Sequence, residues 1–425
     1  MDRKNLVFVV GCYRPYPSAV GVCAEKIIDI FKIYNDVTVI SIKDRCDLPD
    51  DETYNGYNLV RVTTAYNRKR FKISAQQSSL SLIIRLKLIF MKFMRLLTIL
   101  CSNVTIDKDL VNSYYFELKK IADKKKIDVI IPLCFPFESI VAASKFSDHI
   151  DQTVQVIPYL FDNFANSASL HRFNWNRKLK LEANKSLELK MLELSNAVFA
   201  MHPLKDYFQC NFPTELLKKI SYVEHPLLDR SDFQDKSIKV NDKIHLIYAG
   251  GLFKNVREPT YMLRLLEKVN VNVPIIIDIY SFGNASEEAN KYSAKHKYSF
   301  FHGQVQRDEI ICSYSYCDVL VNLGEIEGKQ ISSKIFEYMS LGKPLIHIAF
   351  TKNCVVSKLL KKYPLAMVIC IEDDFESNSI LVTNFLIKYS KERLVFDFVQ
   401  NLFFDATPQY TVDKMIDIIY GERLR

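Results

Sequence analysis

The chain has 425 residues, 48% of them apolar and 25% charged, with a formal net charge of +8. That length buries more than one core, and that balance excludes a disordered chain, a collagen-like repeat and a small disulfide scaffold. Its ten cysteines have no zinc-ligand spacing with histidine and no apolar run is long enough to span a membrane, so a cytosolic protein with reduced thiols and no metal is expected.

Charge is unevenly spread. Residues 1–225 hold 32 Lys+Arg against 24 Asp+Glu, and the remainder holds 25 of each. From Thr53 to Ile106 there is no acid, while Arg61, Arg68, Lys69, Arg70, Lys72, Arg85, Lys87, Lys92 and Arg95 all fall there. Such a patch selects an anionic surface or ligand.

The start, Met1-Asp2-Arg3-Lys4 before Leu6–Gly11, imitates a signal peptide, but its apolar run is short and reads as a first buried strand. The turn-rich loop Pro17-Ser18-Ala19-Val20-Gly21 follows, then a helix over Val22–Tyr34 and strands over Val37–Ile42 and Tyr57–Val62. Apolar strands alternating with amphipathic helices predict a parallel sheet with helices on both faces. The first turn lacks Gly-x-Gly-x-x-Gly, which argues against a dinucleotide there.

Ser79–Leu100 reads as a basic amphipathic helix, with Leu82, Leu86, Ile89, Phe90, Phe93, Leu96, Leu97 and Leu100 on one half and Arg85, Lys87, Lys92 and Arg95 on the other. This pattern fits a helix in a membrane interface and equally a helix packed on a sheet. No nucleic-acid-binding motif accompanies the cations. Strands are expected at Ile127–Ile131, Val154–Leu160, Ala197–Met201 and Ile220–Val223, with a helix over Arg177–Leu194. Asp162 follows a strand, where a parallel sheet places working residues and where turns also place aspartates. His202 and His225 each precede a proline at a strand end, a placement that suits a structural histidine or one lining a cleft.

The polar stretch 226–243 separates a first domain, 1–225, from a second, 244–404, and residues 405–425 form a helix able to return to the first. The second domain repeats the pattern: strands at Ile244–Ala249, Pro274–Tyr280, Tyr298–His302, Asp318–Leu323, Leu345–Ile348 and Ala366–Cys370, with a helix over Glu258–Val269. Gly250 and Gly251 open a loop that lets the backbone approach a ligand, and Lys254 and Arg257 bring cationic donors to it. Between two later strands lies Ser332-Ser333-Lys334-Ile335-Phe336-Glu337, in which Ser332 or Ser333 caps a helix that ends at Gly342 before Pro344. A free helix start with a lysine suits a diphosphate, and a carboxylate one turn deeper suits vicinal hydroxyls. A capped helix with a surface Lys–Glu pair has the same spelling.

Together these features resemble the retaining glycosyltransferases of family 4, which have the GT-B fold: two doubly wound Rossmann-like domains facing across a cleft. Ser333-Lys334-Ile335-Phe336-Glu337-Tyr338-Met339 with Gly342-Lys343-Pro344 is similar to the family's donor signature, Tyr248–Arg257 to its phosphate loop, and Pro17–Gly21 to its N-terminal loop. The chain departs from the family at Lys329, where the first of two spaced glutamates stands (Glu325 and Glu327 lie nearby), at Gly251, where an arginine is usual, and at Phe161-Asp162, where a histidine is usual.

The resemblance implies a nucleotide-diphosphate sugar as donor, a sugar or lipid-linked sugar as acceptor, no metal or other cofactor, and retention of configuration. It places Lys254, Arg257 and the N–H groups of Ser332, Ser333 and Lys334 at the leaving diphosphate, Gly21, Gly250 and Gly251 close to the donor, Glu337 on the ribose and Asp162 at the acceptor hydroxyl. It also implies cell-surface polysaccharide or glycolipid assembly, and an acceptor on a lipid carrier at the cytoplasmic membrane face would explain the positive charge of the first domain, with Arg85, Lys87, Lys92 and Arg95 as the acceptor or membrane residues. Rival readings are a nucleotide-sugar epimerase on the same fold and a catalytically silent binding subunit.

Overall fold

A computed structural model describes residues 3–75, 82–150, 152–167, 170, 173–230, 243–329, 331–332 and 334–421. The chain forms two compact units, residues 1–226 with 408–425, and residues 227–407.

The first unit opens on the expected strand β1 (Asn5–Val9), helix α1 (Ala19–Tyr34) and strand β2 (Asp36–Ile42). An edge strand that the sequence pattern did not announce, β3 (Asp51–Tyr54), pairs antiparallel with β4 (Tyr57–Val62). Its residues, Asp-Glu-Thr-Tyr, have weak strand preference and are held by the turn at Asn55-Gly56. Helices α2 (Ala65–Ala75), α3 (Leu82–Cys101) and α4 (Lys108–Ala122) lead to β5 (Val129–Cys134) and α5 (Glu138–Asp148). The single strand expected over 154–160 is two short ones, β6 (Gln155–Val156) and β7 (Tyr159–Leu160). Pro158 lies between them and has no N–H to give the ladder, so each piece pairs separately with β5. Helix α6 (Asn174–Glu193), β8 (Val198–Met201), α7 (Lys205–Asn211), α8 (Thr214–Leu217) and β9 (Ile220–Val223) complete it. The strand order is β3-β4-β2-β1-β5-β7-β8-β9, with β6 also on β5, and every pairing except β3–β4 is parallel.

The second unit alternates β10 (Ile244–Gly251), α9 (Thr260–Asn272), β11 (Ile275–Phe282), α10 (Ser286–Ser293), β12 (Ser299–Gly303), α11 (Arg307–Tyr314), β13 (Val319–Leu323), α12 (Lys334–Ser340), β14 (Leu345–Ala349), α13 (Val355–Leu360), β15 (Ala366–Cys370), α14 (Phe375–Tyr389) and α15 (Phe396–Leu402). Its six strands run β12-β11-β10-β13-β14-β15, all parallel. The order reverses between β10 and β13, and a doubly wound sheet opens its crevice at that switch point, beyond the carboxyl ends of the strands. Leu246, Tyr248, Ile277, Ile279 and Val321 pack under α9 and α14 to form the core.

The last helix, α16 (Pro408–Tyr420), belongs to the first unit and packs on α1. The Tyr420 hydroxyl bonds to the Asn35 side chain, and the Lys4 ammonium sits over the Tyr420 ring at 5.1 Å. Among the described residues no disulfide joins any of the ten cysteines.

Gly342 terminates α12 with φ +65°, and its carbonyl accepts the Leu394 N–H at 2.9 Å. A Cβ there would stand 2.0 Å from the Leu394 carbonyl oxygen. Only glycine fits both the left-handed backbone and the close approach. Gly342→Ala is therefore expected to destabilise the protein by about 2 kcal/mol or more, read as a lower midpoint in urea unfolding. A variant with the wild-type midpoint would contradict this account of the helix end.

Candidate functional site

The site is built where α12 meets the end of β10. Lys334 and Tyr338 lie four residues apart on one face of α12 and converge on one backbone carbonyl. Lys334 Nζ donates to the Ala249 oxygen at 2.7 Å, and the Tyr338 hydroxyl reaches the same oxygen at 3.2 Å. The Ala249 N–H in turn donates to the Tyr338 hydroxyl at 3.3 Å. Gly250 leaves the room this needs, because a Cβ there would meet the Tyr248 hydroxyl at 2.9 Å and Lys334 Nζ at 3.3 Å.

Two arginines surround this point. Arg257 returns from the loop after β10, closing a tight turn in which its N–H donates to the Phe253 carbonyl at 2.8 Å. Among the described residues its guanidinium has one long 3.5 Å contact, with the Gly251 carbonyl, and its buried Nε has no hydrogen-bond partner. Arg307, at the start of α11, donates to Glu337 Oε1 at 2.9 Å. Glu337, whose charge acts on Lys334, is already engaged by Arg307.

Lys334 forms no salt bridge among the described residues. Burial, then the charges of Arg257 and Arg307, lower its pKa from 10.5 to about 8, with Glu337 opposing. A buried polar atom with no partner among the described residues and a half-buried cation with no carboxylate of its own are both unfavourable by themselves. An anion at the strand end relieves both. The neighbouring His347 is fully buried, 2.7 Å from the Asn322 amide nitrogen and 3.4 Å from Cys354 Sγ. Burial and Arg257 push its pKa down to about 4, so it is neutral at pH 7 and adds no charge.

Of the residues singled out from the sequence, Arg257, Lys334, Glu337 and Gly250 come together here. Gly251 serves packing, since a Cβ would stand 2.6 Å from the Phe253 ring. Lys254 is at the exposed tip of the loop, its N–H on Asn284 Oδ1 at 2.8 Å and its charge acting on Glu287 of α10. The Ser332 carbonyl accepts the Ile335 N–H at 3.0 Å, and Ser333 lies outside the described residues. Lys329 points outward and pairs with Glu327 at 3.2 Å, while its N–H donates to Glu325 Oε1 at 2.8 Å. Arg307 was missed, because its place opposite Glu337 depends on how α11 and α12 pack.

Gly21 and Asp162 belong to the first unit. Gly21 is in the first turn of α1, its N–H donating to the Ser18 hydroxyl at 3.1 Å, and a Cβ would stand 2.5 Å from the Cys12 carbonyl oxygen. Asp162 follows β7, half-buried, and with burial and Glu188 it raises the Cys134 thiol pKa. The loop after it is pinned by a residue that sequence reading passed over. Glu188 of α6, fully buried, accepts from the Phe164 and Ala165 N–H groups at 3.3 and 3.2 Å and from the Tyr207 hydroxyl at 2.6 Å. Burial raises its pKa. Of the basic residues of α3, Lys87, Lys92 and Arg95 are exposed, with Arg95 over the Tyr66 ring at 4.7 Å; the Arg85 side chain lies outside the described set.

No protein-family model and no curated protein matches the chain. Among solved structures, it is similar to the sucrose-phosphate synthase of Thermosynechococcus elongatus, with TM-score 0.61 and 11% identity over 99% of both chains. It is also similar to the catalytic domain of starch synthase IV from Arabidopsis thaliana bound to ADP and acarbose, with TM-score 0.59 and 9% identity over all of both chains. A third similar structure is the UDP-GlcNAc 2-epimerase of Methanocaldococcus jannaschii, with TM-score 0.54 and 12% identity over 98% of this chain and all of that one. At such identities the likeness establishes the fold: GT-B, with two Rossmann-like domains.

The depressed Lys334 pKa has a testable sign. Between about 8 and 10.5 the unfolded chain holds this proton and the folded one does not, so the charging penalty is full below pH 8 and fades as pH rises towards 10.5. Lys334→Met, without any anion present, is expected to be at least as stable as wild type at pH 7, by up to roughly 2 kcal/mol. That margin should shrink towards pH 10.5 in parallel thermal melts. A Met variant clearly less stable at pH 7 would mean that the lysine is a structural strut.

Proposed function

We propose that the protein is a glycosyltransferase that moves a sugar from a nucleotide-diphosphate sugar to an acceptor hydroxyl with retention, as a family 4 enzyme in cell-surface polysaccharide or glycolipid assembly. The observation that carries the reading is the excess of positive charge at the β10–α12 junction: a half-buried Lys334 and an Arg257 incompletely bonded among the described residues, with Arg307 beside them. It lies at the carboxyl end of the strand next to the topological switch.

In the reaction the bond from the anomeric carbon to the diphosphate oxygen breaks and a bond to the acceptor oxygen forms, while the acceptor proton is released. Negative charge grows on the departing diphosphate. Lys334 and Arg257 are already oriented, so they stabilise that charge without rearranging in the transition state. Glu337, held by Arg307, presents a fixed carboxylate to the ribose hydroxyls. Asp162 remains our candidate for orienting the acceptor hydroxyl. The resemblance to a retaining family supports retention, and the anomeric configuration of the product, read by NMR, tests it.

Thermal melts against UDP-, GDP-, ADP- and dTDP-sugars are expected to give a rise in Tm with one nucleotide class. Arg257→Ala is expected to lower kcat about a hundredfold with an unchanged Tm in the absence of donor. Failure of every nucleotide sugar to raise Tm would overturn the reading, as would a fully active Arg257→Ala. Conversion of the donor sugar to its epimer without any acceptor would favour the epimerase alternative.

A further inference from the structure

For helix α3 the sequence left two structural readings open, a helix in a membrane interface and a helix packed on a sheet. The helix is not packed on the sheet through its apolar face. Leu86, Ile89, Phe90 and Phe93 are 56, 61, 62 and 54% exposed, and Met94 and Leu97 extend the stripe at 45 and 37%. These positions recur at three- and four-residue spacing, so they form one continuous band along the helix. Twenty residues give the helix a length of about 30 Å.

Cations flank the band. Lys87 lies on one side and Lys92 on the other, both exposed, whereas Arg68 and Lys72 of the neighbouring α2 line a cleft with Asp109 and Glu117. No acid occurs in the chain between Glu52 and Asp107. Among the described residues no helix is long and apolar enough to cross a membrane.

The other end of α3 is firmly held. Lys180 of α6, 2% exposed, donates to the Ile99 carbonyl and to Ser102 Oγ, the latter at 3.0 Å. Asn184, one turn on, accepts the Thr105 N–H at 2.9 Å and donates to Thr105 Oγ1 at 3.1 Å. Beside this anchor α6 exposes Trp175, stacked on Phe173, and Leu179.

We infer that the exposed band of α3 docks on an anionic phospholipid bilayer, the helix lying in the headgroup layer with Phe90 and Phe93 among the acyl chains. An apolar stripe bordered by cations on both sides matches such a surface twice, because the rings are removed from water while the lysines reach up to phosphates. A second copy of the chain would bring the same cations together, which disfavours self-association through this face. Trp175, the only tryptophan of the chain, is exposed next to Asn176, whose amide bonds to the Leu100 carbonyl at the end of α3.

The test uses the full-length protein with phosphatidylcholine vesicles, with and without phosphatidylglycerol. Wild type is expected to sediment with the anionic vesicles, less so at high salt, and to show a blue shift of Trp175 emission with them alone. Phe90→Asp/Phe93→Asp and Lys87→Glu/Lys92→Glu are each expected to weaken this binding by about tenfold or more. Because these side chains are exposed, both variants should keep the wild-type Tm. Lys334→Met should bind vesicles like wild type, so the two proposals fail separately. Equal binding to neutral and anionic vesicles, or wild-type binding by the Phe90→Asp/Phe93→Asp variant, would overturn the inference. So would a concentration-dependent dimer that ignores vesicles and is broken by the same variant.

Discussion

A single carbonyl organises the second unit's functional end. The Ala249 oxygen receives both the Lys334 ammonium and the Tyr338 hydroxyl, so the helix after β13 is fastened to the end of β10 across the point where the sheet reverses direction. A neutral side chain could hold that carbonyl without the charge. Lysine holds it while giving up much of its hydration beside two arginines, one of which has a buried nitrogen with no partner among the described residues. Such an arrangement is poor as a stability device and good as a preformed anion site, since the groups are in place before the anion arrives.

The first unit depends on a different constraint. Along α6, Asn176, Lys180, Asn184 and Glu188 repeat every fourth residue and are all buried. Each finds partners in the backbone or side chains of another segment: Asn176, Lys180 and Asn184 in residues 99–105, and Glu188 in the loop after Asp162 and in Tyr207. A buried polar row of this kind is tolerable because it is satisfied, and removing one partner leaves the other exposed to the full desolvation penalty. One helix thus fixes the root of α3 and the loop that carries a candidate working carboxylate.

The second unit's strands could be read closely from the chain because they are buried on both faces and appear as short apolar runs bounded by turns. The misses have physical causes. Asp51–Tyr54 is a strand because an Asn-Gly turn folds it back on Tyr57–Val62, against its own weak preference. The run at 154–160 breaks at Pro158, a rule that was available from the sequence but subordinate to the apolar pattern.

What the amino-acid order determined by itself was the alternating architecture of two units, the residues able to bear charge in the Gly250–Arg257 and Ser332–Glu337 stretches, and the two-sided character of α3. Tertiary structure decided which of those charges meet. Arg257 and Lys334 converge while Lys254 turns outward, Glu337 pairs with an arginine thirty residues away on another helix, and the apolar band of α3 faces water. Periodicity and local propensity specify an element and its faces, but the neighbour of each face is set by long-range packing, which leaves no mark in the residues of any one segment.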